Sequence, residues 1–452
     1  MKKSLIALAT LAAVSGVSAQ TFNAQAGGAS SVTMFGVLDA TVTKLSVTNG
    51  GSATIMDGGG RNQSSRLGFR GVEDLGGGLS AAFWLEAAIN VDNGTGSNTT
   101  INNTSAGDRV TLNSSGANMY NPQSTLGARQ GLTFNRASTV SLISKDLGEV
   151  RLGRDYNPAF WNYTVYDPFG TVGAGSALNV IGGPLAPVGV QAFPPGAAYP
   201  MVRASNSIGW LSQNMSGFRA QLQYALSEQP TNCATPLTNF NGNSCWGASG
   251  DGKLLGTRLS YANGPLSAAL AYSKTSYGNV ASAGGTLTTS VAGTPGTLAS
   301  AAAYRGDYAQ MNLGGAYDLG VARLMAQYGT QVQSASGVAN EKKLTNYMLG
   351  AVIPMGALSL KASYNAAKRD DVVGAIAGAN EIGSKTTQFA LGAQYDLSKR
   401  TAAYVTYSTN KLTAGATTAG ALRATLGLNG DVLTTGKSAT ATGFDVGIRH
   451  AF

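Results

Sequence analysis

Apolar and polar side chains alternate with period two along most of this chain, and that pattern places successive side chains on opposite faces of an extended strand. Leu79, Ala81, Phe83, Leu85, Ala87 and Ile89 alternate with Ser80, Ala82, Trp84, Glu86, Ala88 and Asn90. Phe218, Ala220, Leu222, Tyr224 and Leu226 share one face, with Arg219, Gln221 and Gln223 on the other. Phe389, Leu391, Ala393 and Tyr395 oppose Gln388, Ala390, Gly392 and Gln394. Soluble sandwiches also alternate, so the pattern alone leaves two solutions open. Three further observations favour a closed antiparallel transmembrane β-barrel. The apolar faces repeatedly carry tyrosine near their ends (Tyr224, Tyr261, Tyr272, Tyr317, Tyr328, Tyr364, Tyr395), as an interfacial aromatic girdle requires. The opposite faces are polar but lightly charged, which suits a wet lumen better than a packed core. Short connections also alternate with long ones.

The short connections share one chemistry. Glu73-Asp74-Leu75-Gly76, Lys145-Asp146-Leu147-Gly148, Tyr317-Asp318-Leu319-Gly320 and Tyr395-Asp396-Leu397-Ser398 are near repeats of one turn. Aspartate can bond its own backbone two residues on, and glycine supplies positive φ. With the short gaps at 213–217, 262–265 and 353–357, these turns imply about sixteen strands, the even number of a barrel with an aqueous channel. Their expected starts are Ser31, Ser65, Leu79, Gly131, Glu149, Arg203, Phe218, Leu254, Leu266, Tyr308, Val321, Asn346, Leu358, Thr387, Thr401 and Ala441. The segment from Gly131 alternates least.

Lys2 and Lys3, an apolar run and the small residues Val17-Ser18-Ala19 have the layout of a secretory leader, which assigns residues 1–19 to a signal peptide. Residues 20–452 then form a single barrel domain, since no charge run or proline hinge divides them. Charged residues are 12% of the chain, about half the usual share for soluble domains, and the net charge is +9, which suits anionic solutes. Lys and Arg are scattered along the strands and not clustered with aromatics, which argues against nucleic-acid binding. Cys233 and Cys245, the only cysteines, lie close together in a polar stretch and read as a loop disulfide or as two free thiols. No metal or cofactor signature occurs. His450 is the one histidine and falls on an outward face, so a Ser–His hydrolase on a barrel lacks its base and an enzyme is not expected.

The stretches Ser31-Val32-Thr33-Met34-Phe35-Gly36-Val37-Leu38-Asp39, Ser65-Arg66-Leu67-Gly68-Phe69-Arg70-Gly71, Leu85-Glu86, Phe134-Asn135-Arg136, Leu152-Gly153-Arg154, Asp167-Pro168-Phe169-Gly170 and Val446-Gly447-Ile448-Arg449-His450-Ala451-Phe452 follow one another from first strand to last. In that order they resemble the trimeric general-diffusion porins of Gram-negative bacteria, beta-proteobacterial type. The resemblance implies an outer-membrane homotrimer among lipids and lipopolysaccharide, and a third loop, residues 155–202, folded inward to narrow the pore. It also implies that Phe452 is part of the signal read by the barrel-assembly machinery. The family's constriction arginines map onto Arg66, Arg136 and Arg203, its facing acid onto Glu86, and Asp167 joins them from the third loop. The chain departs from the family in the extra residues 20–30, the long Asn/Ser/Thr-rich second loop, Asp155, and the Pro/Gly/Ala-rich third loop.

Parity checks part of this assignment. Arg66 and Arg70 oppose Leu67 and Phe69, Glu86 opposes Leu85, and Arg203, Ser205 and Ser207 oppose Ile208 and Trp210. A charge facing lipid at midplane costs about 2–4 kcal/mol, so these groups face water. Parity does not place Arg136. The expected function is a water-filled channel for small hydrophilic solutes and ions, with anions preferred. A substrate-specific channel and a non-conducting surface barrel are the alternatives.

Overall fold

The computed structural model describes residues 30–48, 51–96, 132–181, 202–227, 252–277, 288–291, 294–297, 306–333, 342–370, 385–413, 422–425, 431–434 and 438–452. The expected leader, the two cysteines and residues 182–201 of the third loop lie outside them.

Sixteen strands close into one antiparallel barrel: β1 (Ser31–Val47), β2 (Arg66–Gly76), β3 (Leu79–Asn90), β4 (Ala137–Ser144), β5 (Gly148–Tyr156), β6 (Arg203–Leu211), β7 (Phe218–Ala225), β8 (Lys253–Asn263), β9 (Leu266–Tyr277), β10 (Gly306–Asp318), β11 (Arg323–Gln333), β12 (Lys342–Met355), β13 (Leu358–Asp370), β14 (Lys385–Asp396), β15 (Thr401–Thr413) and β16 (Ser438–Ala451). Closure comes from β16 pairing with β1, Val37 opposite Ala451 through Val47 opposite Ala441. In hydrocarbon every backbone N–H and C=O must be satisfied within the protein, and a closed sheet does this without an edge. The expected strand starts agree with this map except near Gly131. Residues 132–136 are irregular and β4 begins at Ala137, so the poor alternation there reflects connecting chain.

The polarity is inside-out. Leu142, Leu222, Leu259, Leu313, Leu349 and Leu391 are each about half exposed on the outer face. Gln223, Gln310, Asn312, Gln327, Gln388 and Asn410 are buried on the inner one. The last strand keeps the expected faces: Phe444, Val446, Ile448 and Phe452 are exposed while Asp445 is buried.

Among the described residues, two segments fold into the lumen. One is the third loop, with helix α1 (Pro158–Val165), the Asp167-Pro168-Phe169-Gly170 turn and helix α2 (Leu178–Ile181). Asn157 caps α1, its side-chain oxygen accepting from Ala159 N, and Pro158 occupies a first-turn position that needs no N–H donor. The other is the stretch 58–65 after the short strand Ser52–Asp57, which pairs with the upper half of β1. The backbone N–H groups of Asn62 and Gln63 both donate to Asp39 Oδ2, at 2.8 and 2.7 Å. The two segments touch at Gly173, whose φ of 71° and close approach to the Arg61 carbonyl leave no room for a side chain.

Candidate functional site

The two walls of the lumen differ in chemistry. On the first, β2 and β3 set Gly68 opposite Glu86 and Arg66 opposite Ala88, so Arg66 and Glu86 are diagonal neighbours on the inner face. Arg66 Nε lies 3.9 Å from Glu86 Oε1. The Arg136 backbone N–H donates to the Glu86 carbonyl at 3.0 Å, which aims the Arg136 side chain at the same carboxylate, Nε to Oε1 2.5 Å. Trp84 Nε1 donates to Oε2 at 3.3 Å. Tyr156 joins the third arginine: its hydroxyl accepts from Arg136 Nη2 at 2.9 Å and from Arg203 Nη2 at 2.8 Å, and the Arg203 guanidinium stands 4.4 Å from its ring centroid.

Two guanidinium groups thus share one carboxylate, and a third joins them through Tyr156. Arg203 Nε has no hydrogen-bond partner among the described residues. The patch keeps an excess of positive charge facing the lumen, where the field is less screened than in bulk water.

The second wall is covered by the third loop, held there mostly by neutral amides, with Arg258 Nε donating to Asn162 Oδ1 at 2.5 Å as a charged contact. Asn157 Nδ2 donates to Ser273, Asn162 Nδ2 to the Ala269 carbonyl and Asn312 Nδ2 to the Ala159 carbonyl. Gln327 Nε2 donates to the Tyr163 carbonyl, and Tyr163 donates its hydroxyl proton to Asn346. Gln388 Nε2 reaches both the Gly175 and Ser176 carbonyls, at 3.0 and 2.9 Å, and Asp445 accepts from Ala174 N at 2.7 Å. Burial raises the Tyr163 hydroxyl to about 12, so it remains a donor throughout the physiological range.

Asp167 lies within the loop and does not face the arginines. Its side chain is buried and accepts from the backbone N–H groups of Phe169, Thr171 and Ala177, which closes the turn. Burial outweighs those three donors and pushes its carboxyl up to about 6. Arg151, also basic and inward, is matched by Glu149 at 2.6 Å and Asp155 at 3.0 Å, so its charge stays on the wall.

Sequence reasoning brought Arg66, Glu86, Arg136 and Arg203 to one place and missed Tyr156, the amide anchors and the 58–65 insertion. Alternation from Val150 and Leu152 would turn Tyr156 outward; Gly153, at φ 129°, shifts the register of β5 and brings it inward. Asn206, at φ 56°, is a second irregularity, in β6. The anchors had a signal: Gln310, Asn312, Gln327, Gln388 and Asn410 all occupy inward positions, where amides outnumber charges.

A family model described as Gram-negative porin matches residues 7–415. Outer membrane porin protein 32 of Delftia acidovorans is 34% identical over 460 residues, spanning all of both chains. An outer membrane porin protein of Bordetella pertussis is 28% identical over 91% of this chain and 95% of its own. Among solved structures, an anion-selective porin from Comamonas acidovorans is 31% identical, covers 94% of this chain and 100% of its own, and superposes with a TM-score of 0.64. The trimer form of OmpT from Vibrio cholerae, 14% identical over 94% of this chain and 100% of its own with a TM-score of 0.55, shares the fold.

Proposed function

The chain belongs to the Gram-negative porin family and is an outer-membrane channel, and we propose that it is a passive diffusion pore that prefers anions because of the arginine wall. The observation that carries this reading is the sharing of one carboxylate, Glu86, by Arg66 and Arg136, with Arg203 joined to them through Tyr156. A carboxylate or phosphate crossing the lumen meets uncompensated guanidinium groups fixed on one side, while a cation meets the same field as a barrier. The 31%-identical structural relative from Comamonas acidovorans is an anion-selective porin, which points the same way. Glu86 fixes the geometry of two arginines, Asp167 holds the turn of the third loop, and the loop narrows the passage from the opposite wall.

The outer surface supports a homotrimer. Outward tyrosines occur on β7–β15 (Tyr224, Tyr317, Tyr328, Tyr347, Tyr364, Tyr395, Tyr407), and among the described residues none occurs on β1–β6 or β16. On that arc β4, β5 and β6 have 8, 9 and 9 residues, at or below the roughly 9–11 needed to span a bilayer. They present Val140, Leu142, Val150, Leu152 and Ile208. A low apolar wall without outward tyrosines is better covered by other copies of the chain than by lipid. Leu142→Arg should release single barrels in native mass spectrometry; trimers that persist would place the interface elsewhere.

The test of the pore is a planar-bilayer recording of the refolded protein under a salt gradient. Stepwise insertions with a reversal potential of anionic sign are expected. Folded barrels that carry no current would overturn the channel reading in favour of a surface barrel, and a cationic sign would overturn the role given to the arginines.

A further inference from the structure

Five glycines face the lumen on the wall that the third loop covers: Gly256 on β8, Gly314 on β10, Gly329 on β11, Gly350 on β12 and Gly392 on β14. Each shares its face with a buried neighbour two residues away, Leu254, Asn312, Gln327, Met348 and Gln394 in turn. None of the five has a positive φ, so the backbone itself would accept a side chain there. Glycine inside a strand weakens it and marks a place where another part of the chain comes close. Here that part is the loop. A Cβ on Gly256 would stand 2.9 Å from Pro158 Cδ, and one on Gly392 2.8 Å from Phe169 Cε1. On Gly350, Gly314 and Gly329 it would intrude still further, on the Pro168 ring, the Tyr166 ring and the Tyr163 hydroxyl. The contacts run along the loop from Pro158, at the start of α1, to Phe169 in the turn beyond it.

Gly329 shows how close the fit is. It stands opposite Asn346 in the ladder, and its missing side chain leaves the path by which the Tyr163 hydroxyl reaches Asn346 Oδ1 at 3.1 Å. Strand glycines elsewhere are filled differently: Gly71 is covered by Phe83, its partner on the next strand. On the arginine wall Gly209 lies opposite Arg151, and a Cβ there would meet nothing closer than 3.7 Å.

Amide side chains tether the loop, but flexible side chains tolerate a range of depths. Repulsion between atoms in contact does not, since carbon atoms pack best at about 3.5–4.0 Å. A proline ring is fixed to its own backbone and has no rotamer with which to step aside. At Gly256 and Gly350 the wall therefore meets the main chain of the loop through rigid atoms. The depth to which the loop sinks into its wall is the width left for the passage.

We propose that Gly256, Gly314, Gly329, Gly350 and Gly392 fix the width of the pore, as sockets for Pro158, Tyr166, Tyr163, Pro168 and Phe169 that hold the constriction loop back against its wall. A methyl group in a socket pushes the loop toward the arginines, by about 1 Å at Gly256 if ordinary contact is restored. This inference deepens the channel reading and rests on it, while the ion preference stays with the opposite wall.

The test is the single-channel conductance of refolded Gly350→Ala and Gly256→Ala beside the wild type in planar bilayers. Both should carry smaller unitary currents, Gly350→Ala the smaller of the two, with the reversal potential keeping its anionic sign. Gly209→Ala should conduct as the wild type does. Removing the ring that the new methyl strikes should undo the loss, so Gly350→Ala/Pro168→Ala recovers current toward the wild-type value, whereas a general weakening of the barrel would be compounded by the second change. Should Gly350→Ala fail to fold, Gly256→Ala and Gly256→Ala/Pro158→Ala carry the same comparison at the socket of slightest overlap. Unitary currents equal to or larger than the wild type's in the socket variants, or a loss that the matching proline substitution does not relieve, overturn the sockets. Folded wild-type barrels without current overturn the channel reading instead.

Discussion

The two walls of the lumen solve different problems with different chemistry. On the β2–β6 side, Arg66, Arg136 and Arg203 crowd around Glu86 and Tyr156, so fixed charge is left facing the passage. On the β8–β16 side, asparagine and glutamine bind the carbonyls of the third loop without adding charge, and the charged contacts, Arg258 to Asn162 and Asp445 to Ala174, are of opposite sign. Each choice has a physical reason. A neutral amide stitches a loop to a wall without disturbing the field across the pore, whereas a second row of carboxylates would cancel it. The lesson is that inward polar residues fall into two sets, those that act on solutes and those that hold the structure which narrows the channel.

Breaking the charged wall should have the largest effect. Glu86→Gln removes the one carboxylate between Arg66 and Arg136, and loss of one partner from a buried pair costs about 3–5 kcal/mol. A clearly lower urea midpoint for unfolding is expected, and an unchanged midpoint would mean that Glu86 does not organise the wall. Tyr156→Phe removes the hydroxyl that accepts from both Arg136 and Arg203, a loss of about 1.5–3 kcal/mol for a bond to a charged group. It should lower the same midpoint by less than Glu86→Gln does.

The amide wall should respond differently. Gln388→Leu loses two bonds to the loop, a loss of about 1–3 kcal/mol in which the freed Gly175 and Ser176 carbonyls contribute. The expected readout is greater open-channel current noise with an unchanged reversal potential. A shift in reversal potential would show that the two walls are not separable.

The smallest effect concerns Asp167. Its carboxyl is raised by burial to about 6, so the folded loop holds the proton more tightly than the unfolded chain does. The stabilisation is therefore fully present below about pH 4, near the ordinary aspartate value, and is lost as pH rises through about 6. Current noise should grow across that window in the wild type and stay flat in Asp167→Asn.

Most of the barrel was legible because membrane strands have two solvents, and each position must choose one. That rule alone turned Arg66, Glu86 and the face of β16 the right way. It failed where the chain leaves regular strand. Arg136 precedes β4, so no parity applies to it, and Tyr156 follows the irregularity at Gly153. The loop anchors were hidden for another reason: Gln388 meets Gly175 across more than two hundred residues, and period two says only that its side chain is inward, not what it finds there. The 58–65 insertion had a local hint in Gly58-Gly59-Gly60, but its partner Asp39 lies in the preceding strand.

The most direct measurement is the reversal potential of the Arg66→Gln/Arg203→Gln channel beside the wild type, under one salt gradient in planar bilayers. Loss of most of the anion preference with stepwise conductance retained is the predicted result. An anion preference equal to the wild type's would contradict the assignment of selectivity to the arginine wall.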